Sequence, residues 1–565
     1  MMRRVFQLFA CAAIVLMADC RSAGAVSQPE RDENSASPSK RPHDSPQAET
    51  AKDREATVGQ KDAAPVEQED GGSKISIDDL TAALGIDPGS PQLYRFRGVA
   101  FFEQGSFPEA IADFTKALKL DSDDADAYSH RARAYYMLED YARALADYDQ
   151  ALKVEPNDVG LLNDRALVYR RQGNDRAALA DLDRAISRDP AEPTLLRNRA
   201  TVEHRLGNEE AARADLDRVV GRSPDSAETF TLRGDLFLRS YDSKEARADL
   251  ESAIRLDRGR LYAYFLRGIL YLREHAPHKA LSDFDKAIEL SAKENPELYV
   301  KRALALGEMG QPEEALAEYK RALQMQPDLA EAYYGLGNLF KELGRSEEAL
   351  EAYNETIRLA PEQDATFINR GIIFHTRGEF EKAIADYTRV IQSEHPRVEA
   401  AYNNRGAAYF ETGRYREAKT DLDEAIRRNP NYREALFTRG QTGKALGNYK
   451  EAIADFEKVL NLSDDDADVH NSLAWILAVN QDGTLRDGKK ALQHALKACD
   501  LKQWSDCATL DTLAASFAEA GDFRNAVRYE EQAIALAPSD AGKREELQGR
   551  LQLYHLNTPY RATNP

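Results

Sequence analysis

From residue 75 onward, apolar residues recur in paired stripes separated by polar turns. In one stretch Tyr128, Ala132 and Tyr135 stand at i, i+4 and i+7, one face of a helix. Ala144, Tyr148 and Ala151 then draw a second stripe with the same spacing. Turn signals such as Gly173-Asn174 and Gly344-Arg345 fall between two such stripes. Pro156, Pro190, Pro224, Pro327, Pro361 and Pro430 follow the second stripe, where proline cannot continue a helix. The pattern predicts helix hairpins. Small residues such as Ala132 and Ala144 let the two helices approach, and aromatic or leucine side chains fill the space beside them.

The hairpins repeat. Ala110, Ala144, Ala178, Ala212, Ala246 and Ala280 open the second stripe at intervals of 34 residues. Ala315 follows after 35, Ala349 and Ala383 after 34, Ala418 after 35 and Ala452 after 34. This gives eleven tandem units over 91–466. Leu80, Ala83 and Pro88 make 75–90 an N-terminal capping half-repeat. Residues 467–540 hold two diverged units. The first keeps Ala474 and Ala491 around a hairpin loop about five residues longer; the second keeps Ala514, Ala526, Ala533 and Pro538. Leu547, Leu551 and Tyr554 predict a closing helix within 541–565. The extra residues before the seventh and tenth units predict local disturbances near Asn295 and Val398.

This pattern resembles the tetratricopeptide (TPR) repeat over most of the chain. The resemblance implies an all-α, right-handed superhelical solenoid of about thirteen helix hairpins with terminal capping helices. It also implies a concave groove lined by the first helix of each hairpin, and protein or peptide partners.

Where TPR repeats commonly carry leucine, just before the small residue of the first helix, ten of thirteen units carry arginine: Arg97, Arg131, Arg165, Arg199, Arg233, Arg267, Arg302, Arg370, Arg405 and Arg439. Three residues after the anchor alanine the same ten carry an acid: Asp113, Asp147, Asp181, Asp215, Asp249, Asp283, Glu318, Asp386, Asp421 and Asp455. The other three units have Leu336, Leu473 and Leu513 with Ala352, His494 and Tyr529. Because both slots change together within a unit, Arg131–Asp147, Arg233–Asp249 and Arg405–Asp421 are expected to be structural ion pairs inside their own hairpins.

Composition narrows the function. The 565 residues carry a formal net charge of −20, which disfavours general nucleic-acid binding. Met1-Met2-Arg3-Arg4, the apolar run Val5–Ala18 and Ala23-Gly24-Ala25 read as an export signal over 1–25. A second reading makes Cys20 a lipidated residue, a pattern from which Asp19 departs. The Ser-, Pro- and charge-rich stretch 26–74 is expected to be a disordered linker. Cys499 and Cys507 remain in the mature chain; an oxidising compartment would let them pair, and the other reading is two small residues at a helix end and a helix start. The sequence holds no phosphate-cradling loop, nucleophile elbow or zinc-type cysteine pair, so no catalytic, cofactor or metal residue is assigned. His275 and His278 flank Ala276-Pro277 at a hairpin turn.

The candidate partner-binding residues lie on the first helices. Arg171, Arg205, Arg239 and Arg273 form a basic stripe near the helix ends, suited to an acidic segment. Asn163, Asn198, Asn369, Asn403 and Asn404 offer amides that both donate and accept, suited to a peptide backbone. The expectation is an exported, non-enzymatic interaction scaffold of the bacterial cell envelope. It would bind extended peptide or protein partners in the periplasm, with no cofactor, no nucleic acid and no membrane span in the mature chain. Two alternatives stay open: a lipid-anchored assembly factor for an envelope complex, and a regulatory subunit of an enzyme supplied by another chain.

Overall fold

The computed structural model describes residues 76–393, 398–537 and 541–562. The expected export signal over 1–25, the expected linker over 26–74 and Cys20 lie outside the described residues. Among the described residues every regular element is an α-helix, from Ile77–Ile86 to Ala541–His555. A typical unit pairs a 13-residue first helix with a 14-residue second helix, as Ala125–Met137 and Tyr141–Val154 do.

Local chemistry starts and stops each helix. The Asp124 carboxylate accepts from the Ala127 backbone N–H at 2.9 Å, satisfying one of the four donors a helix start leaves open. At the other end of a first helix the chain must enter the left-handed region to turn back. Gly173 does so at φ 75°, and the Asn174 N–H reaches back to the Tyr169 carbonyl at 2.9 Å. His275 holds the equivalent position at φ 53°. It therefore serves as a turn residue between Leu261–Arg273 and Pro277–Leu290.

The helices form two compact groups, one reaching to Arg267 and the other beginning at Gly268. Within each group a hairpin's two helices pack on each other, and the second helix packs on the next unit's first helix. Within each group several successive first helices also touch. The core follows the two predicted stripes. Ala132, Ala144, Tyr148 and Ala151 are buried in one cluster with Leu161, Leu162 and Ala166 of the next unit. A single hairpin cannot cover both its faces, and the neighbouring unit completes the burial.

The irregular spacings have local consequences. Four residues join units at 121–124, whereas 291–295 joins the sixth to the seventh. Before the tenth unit the second helix ends at Gln392, and Val398 precedes Glu399–Glu411 in a helical conformation with φ −74° and ψ −9°. The twelfth hairpin joins Ala467–Val479 to Gly488–Leu501 through the loop 480–487, where 138–140 suffices in the second unit.

Candidate functional site

The arginine slot is a clamp with three arms. In eight units the guanidinium Nε and Nη2 donate to the two carboxylate oxygens of the acid in the same hairpin, at 2.6–2.9 Å. Arg131–Asp147, Arg233–Asp249 and Arg405–Asp421 are among them. The carboxylates are buried, and their hydrogen bonds raise Arg97, Arg165, Arg199, Arg233 and Arg439 above the ordinary guanidinium range. The third arm reaches the preceding unit. Nη1 donates to Asp149 from Arg165, to Asp217 from Arg233 and to Asp423 from Arg439, at 2.6–2.7 Å. Thr115 receives Arg131 at 3.0 Å and Thr388 receives Arg405 at 2.9 Å. The clamp thus fixes a hairpin and also staples it to its predecessor.

The sequence carries a trace of this third arm. Apart from the seventh unit, the position five residues after the anchor in the tandem units holds Thr115, Asp149, Asp183, Asp217, Glu251, Asp285, Asn354, Thr388, Asp423 and Glu457, all acceptors. Lys320 stands there in the seventh unit, and the eighth unit, which would face it, has Leu336 in place of arginine. In the seventh unit the five-residue junction and the longer Glu318 change the geometry. Arg302 Nε donates to Asp285 at 2.7 Å, while Nη1 pairs with Glu318 at 2.7 Å. In the twelfth unit, where Leu473 replaces arginine, His494 in the acid slot meets buried His470, Nδ1 to Nδ1, at 2.9 Å.

The proposed ligand-binding residues lie on the first helices and are engaged with neighbours. Arg171 Nε donates to Tyr136 Oη at 3.0 Å. Arg205 Nε donates to both oxygens of Asp175, at 3.0 and 3.1 Å, and Arg239 Nε donates to Asp235 at 3.2 Å. Arg273 ends the helix Leu261–Arg273. Asn198 donates to Asn163 at 2.8 Å, joining consecutive first helices. Asn369 donates to Tyr334 Oη at 3.2 Å and to Asn338 at 3.1 Å, and accepts from Lys341 Nζ at 3.0 Å. Asn403 donates to Asn404 at 3.1 Å; it is only 3% exposed, which takes its amide off the accessible face. The Asn198 and Asn369 amides cross-link neighbouring units, so a ligand would have to exchange with existing bonds.

Several ionisable groups on the first helices are shifted by burial. Burial raises Asp164, Glu308 and Glu411 above the usual carboxylate range. It lowers Lys341 and Lys444 and pushes His375 down to about 4. At these positions burial disfavours the charged form. Cys499 and Cys507 are both free, and burial pushes the Cys499 thiol up to about 11. Among the described residues no group of three or more His, Cys, Asp or Glu side chains is placed to hold a metal. No described helix is long and apolar enough to cross a membrane.

A family model described as TPR repeat matches residues 98–139, and models described as tetratricopeptide repeat match 131–194, 163–227, 231–295, 300–364, 399–432 and 434–466. Together these cover more than half of the chain. A DnaJ homolog subfamily C member 7 homolog from Dictyostelium discoideum is 29% identical over 91 residues, which span 16% of this chain and 17% of that protein. A solved structure of the APC/C hetero-tetramer Cut9-Hcn1 covers 85% of this chain and 100% of its own, at 14% identity and a TM-score of 0.46. A tetratricopeptide repeat protein from Parabacteroides merdae covers 44% of this chain and 98% of its own, at 20% identity and a TM-score of 0.38. The chain belongs to the tetratricopeptide repeat family.

Proposed function

We propose that this protein is a non-enzymatic scaffold of the bacterial cell envelope that binds extended peptide or protein segments along its first-helix face. The observations that carry the reading are the tetratricopeptide repeat array and the partly buried Lys341 and Lys444 on its first helices. A group already stripped of water has paid much of its desolvation cost, so an opposite charge on a partner gains more there than on an open surface. The asparagine cross-links add donors and acceptors that a peptide backbone can share. Export is supported by the basic start, the short apolar run and the small-residue cleavage pattern of residues 1–25.

Crosslinking the protein in intact envelopes, with mass spectrometry of both the partners and the mature N-terminus, tests both parts. A start near Val26 and partners crosslinked to first-helix residues are expected. Lys341→Ala with Lys444→Ala should reduce capture of those partners several-fold at unchanged helical content. Unchanged capture would overturn the first-helix assignment.

A further inference from the structure

The strongest departures from the repeat converge on one place. The twelfth unit carries the long loop 480–487 and Trp475, the thirteenth ends its first helix at Glu519, and the closing helix Ala541–His555 is followed by a tail. That tail does not run into solvent. Asn557 adopts a left-handed conformation at φ 51°, and Thr558 N–H returns to the Leu553 carbonyl at 2.9 Å. Pro559 then holds the chain out of helix, and the segment turns back across the first helices of the last two units.

The contacts made there are those of a bound peptide. Tyr560 lies against Trp475 with ring centroids 6.1 Å apart. Ala562 N–H donates to the Val479 carbonyl at 3.0 Å. Arg561 Nη1 donates to the Ala478 carbonyl at 3.2 Å, and Nη2 lies 2.6 Å from Glu519 Oε2. Arg486, from the long loop, donates through Nε to Glu519 Oε1 at 3.0 Å and through Nη1 to the Asn480 carbonyl at 2.7 Å, which fixes the carboxylate facing the tail. The last carbonyls of Ala467–Val479 have no helical partner of their own and carry the negative end of the helix dipole, so they favour a cation.

We propose that this corner is a binding site for an extended segment in which an aromatic residue precedes an arginine, and that the chain holds its own residues 557–562 there in cis. The aromatic residue packs at a tilt against Trp475. The arginine is read jointly by Glu519 and the Ala478 carbonyl, and the backbone pairs with Val479. The inference deepens the scaffold reading and rests on it. It makes the end of the first-helix face a gated site that opens when a segment of the same chemistry displaces the tail.

A fluorescent synthetic peptide of residues 555–562, capped at both ends, tests the site by anisotropy on the full chain. A tethered tail acts at an effective concentration on the order of millimolar, so the unaltered chain should bind the peptide weakly. The tail-loosened variant Tyr560→Ser with Arg561→Glu should bind it at least tenfold more tightly. Adding Glu519→Gln to that variant, or replacing the peptide's arginine by alanine, should remove the gain. Arg561→Ala alone, which removes a side chain one-third exposed, supplies a milder loosened chain, and circular dichroism checks that each variant is folded. Equal binding by loosened and unaltered chains, or a gain insensitive to both Glu519→Gln and loss of the arginine, would overturn the proposal. The envelope crosslinking is a separate measurement. Peptide binding without any crosslinked partner would leave the site standing and remove the wider scaffold reading.

Discussion

At the scale of single residues, the arginine clamp shows how a charge can serve packing. Asp249 is buried and touches both outer arms of Arg233 at 2.6 and 2.8 Å. Its charge is tolerable only while the guanidinium is present, because an uncompensated buried charge is far more costly than an absent pair. Arg233→Leu should therefore destabilise by about 3–5 kcal/mol, and Arg233→Leu with Asp249→Ala should recover much of that. Urea unfolding of both variants measures it; equal losses would show that the pair is not the cause. The eighth unit already has the apolar combination, with Leu336 and Ala352 buried in one cluster. The pair itself is legible in sequence because its two slots change together. The arm to the preceding unit is scarcely legible, since Thr, Asp and Asn all accept it and vary freely; the meeting of Lys320 with a leucine unit is the one sharp sign.

At the scale of elements, the closing helix is held by chemistry that breaks the pattern. Glu530 occupies the slot that carries Tyr148 or Leu182 in earlier units and is fully buried. Burial first, then the neighbouring Asp511, pushes its carboxyl up to about 9. Arg550 from the closing helix faces both acids, donating to Asp511 at 3.0 Å and lying 3.7 Å from Glu530, with Lys543, Tyr554 and Cys507 bordering the cluster. A carboxyl raised in the folded state holds its proton where the unfolded chain has lost it. Its stabilising effect is complete below the unfolded value near 4.5 and fades as pH rises toward 9. The last two units should thus weaken as pH rises from 6 to 9, and Glu530→Gln should flatten that slope. Both tryptophans of the chain, Trp475 and Trp504, lie in these units, so their fluorescence during urea unfolding reports this transition selectively. A slope unchanged by the substitution would reject the assignment.

At the scale of the whole molecule, contacts run between neighbours, so stability is close to a sum of unit and nearest-neighbour terms. The diverged last units rely on a histidine contact, a buried acid pair and a folded-back tail where the tandem units use the arginine clamp. Tryptophan fluorescence and far-UV circular dichroism should therefore give urea midpoints that differ, because one probe follows the end of the array and the other all of it. Superimposable transitions would mean that the array unfolds as one cooperative block.

The sequence by itself determines the all-helical hairpin array and its repeat length. It also shows where the array departs from regularity. Helical periodicity, proline stops and left-handed turn residues are local properties that recur along the array, so they survive without tertiary information. Only the tertiary structure decides which polar groups are already spent. It places Asn403 inside the stack and Asn198 on Asn163. It also sends Arg233 to two units at once and brings Arg561 to Glu519 across the last first helices. The reason is physical: hydrogen bonds between units depend on how one hairpin sits on the next, and the apolar stripes that build each hairpin do not specify which acceptor its polar side chains will reach.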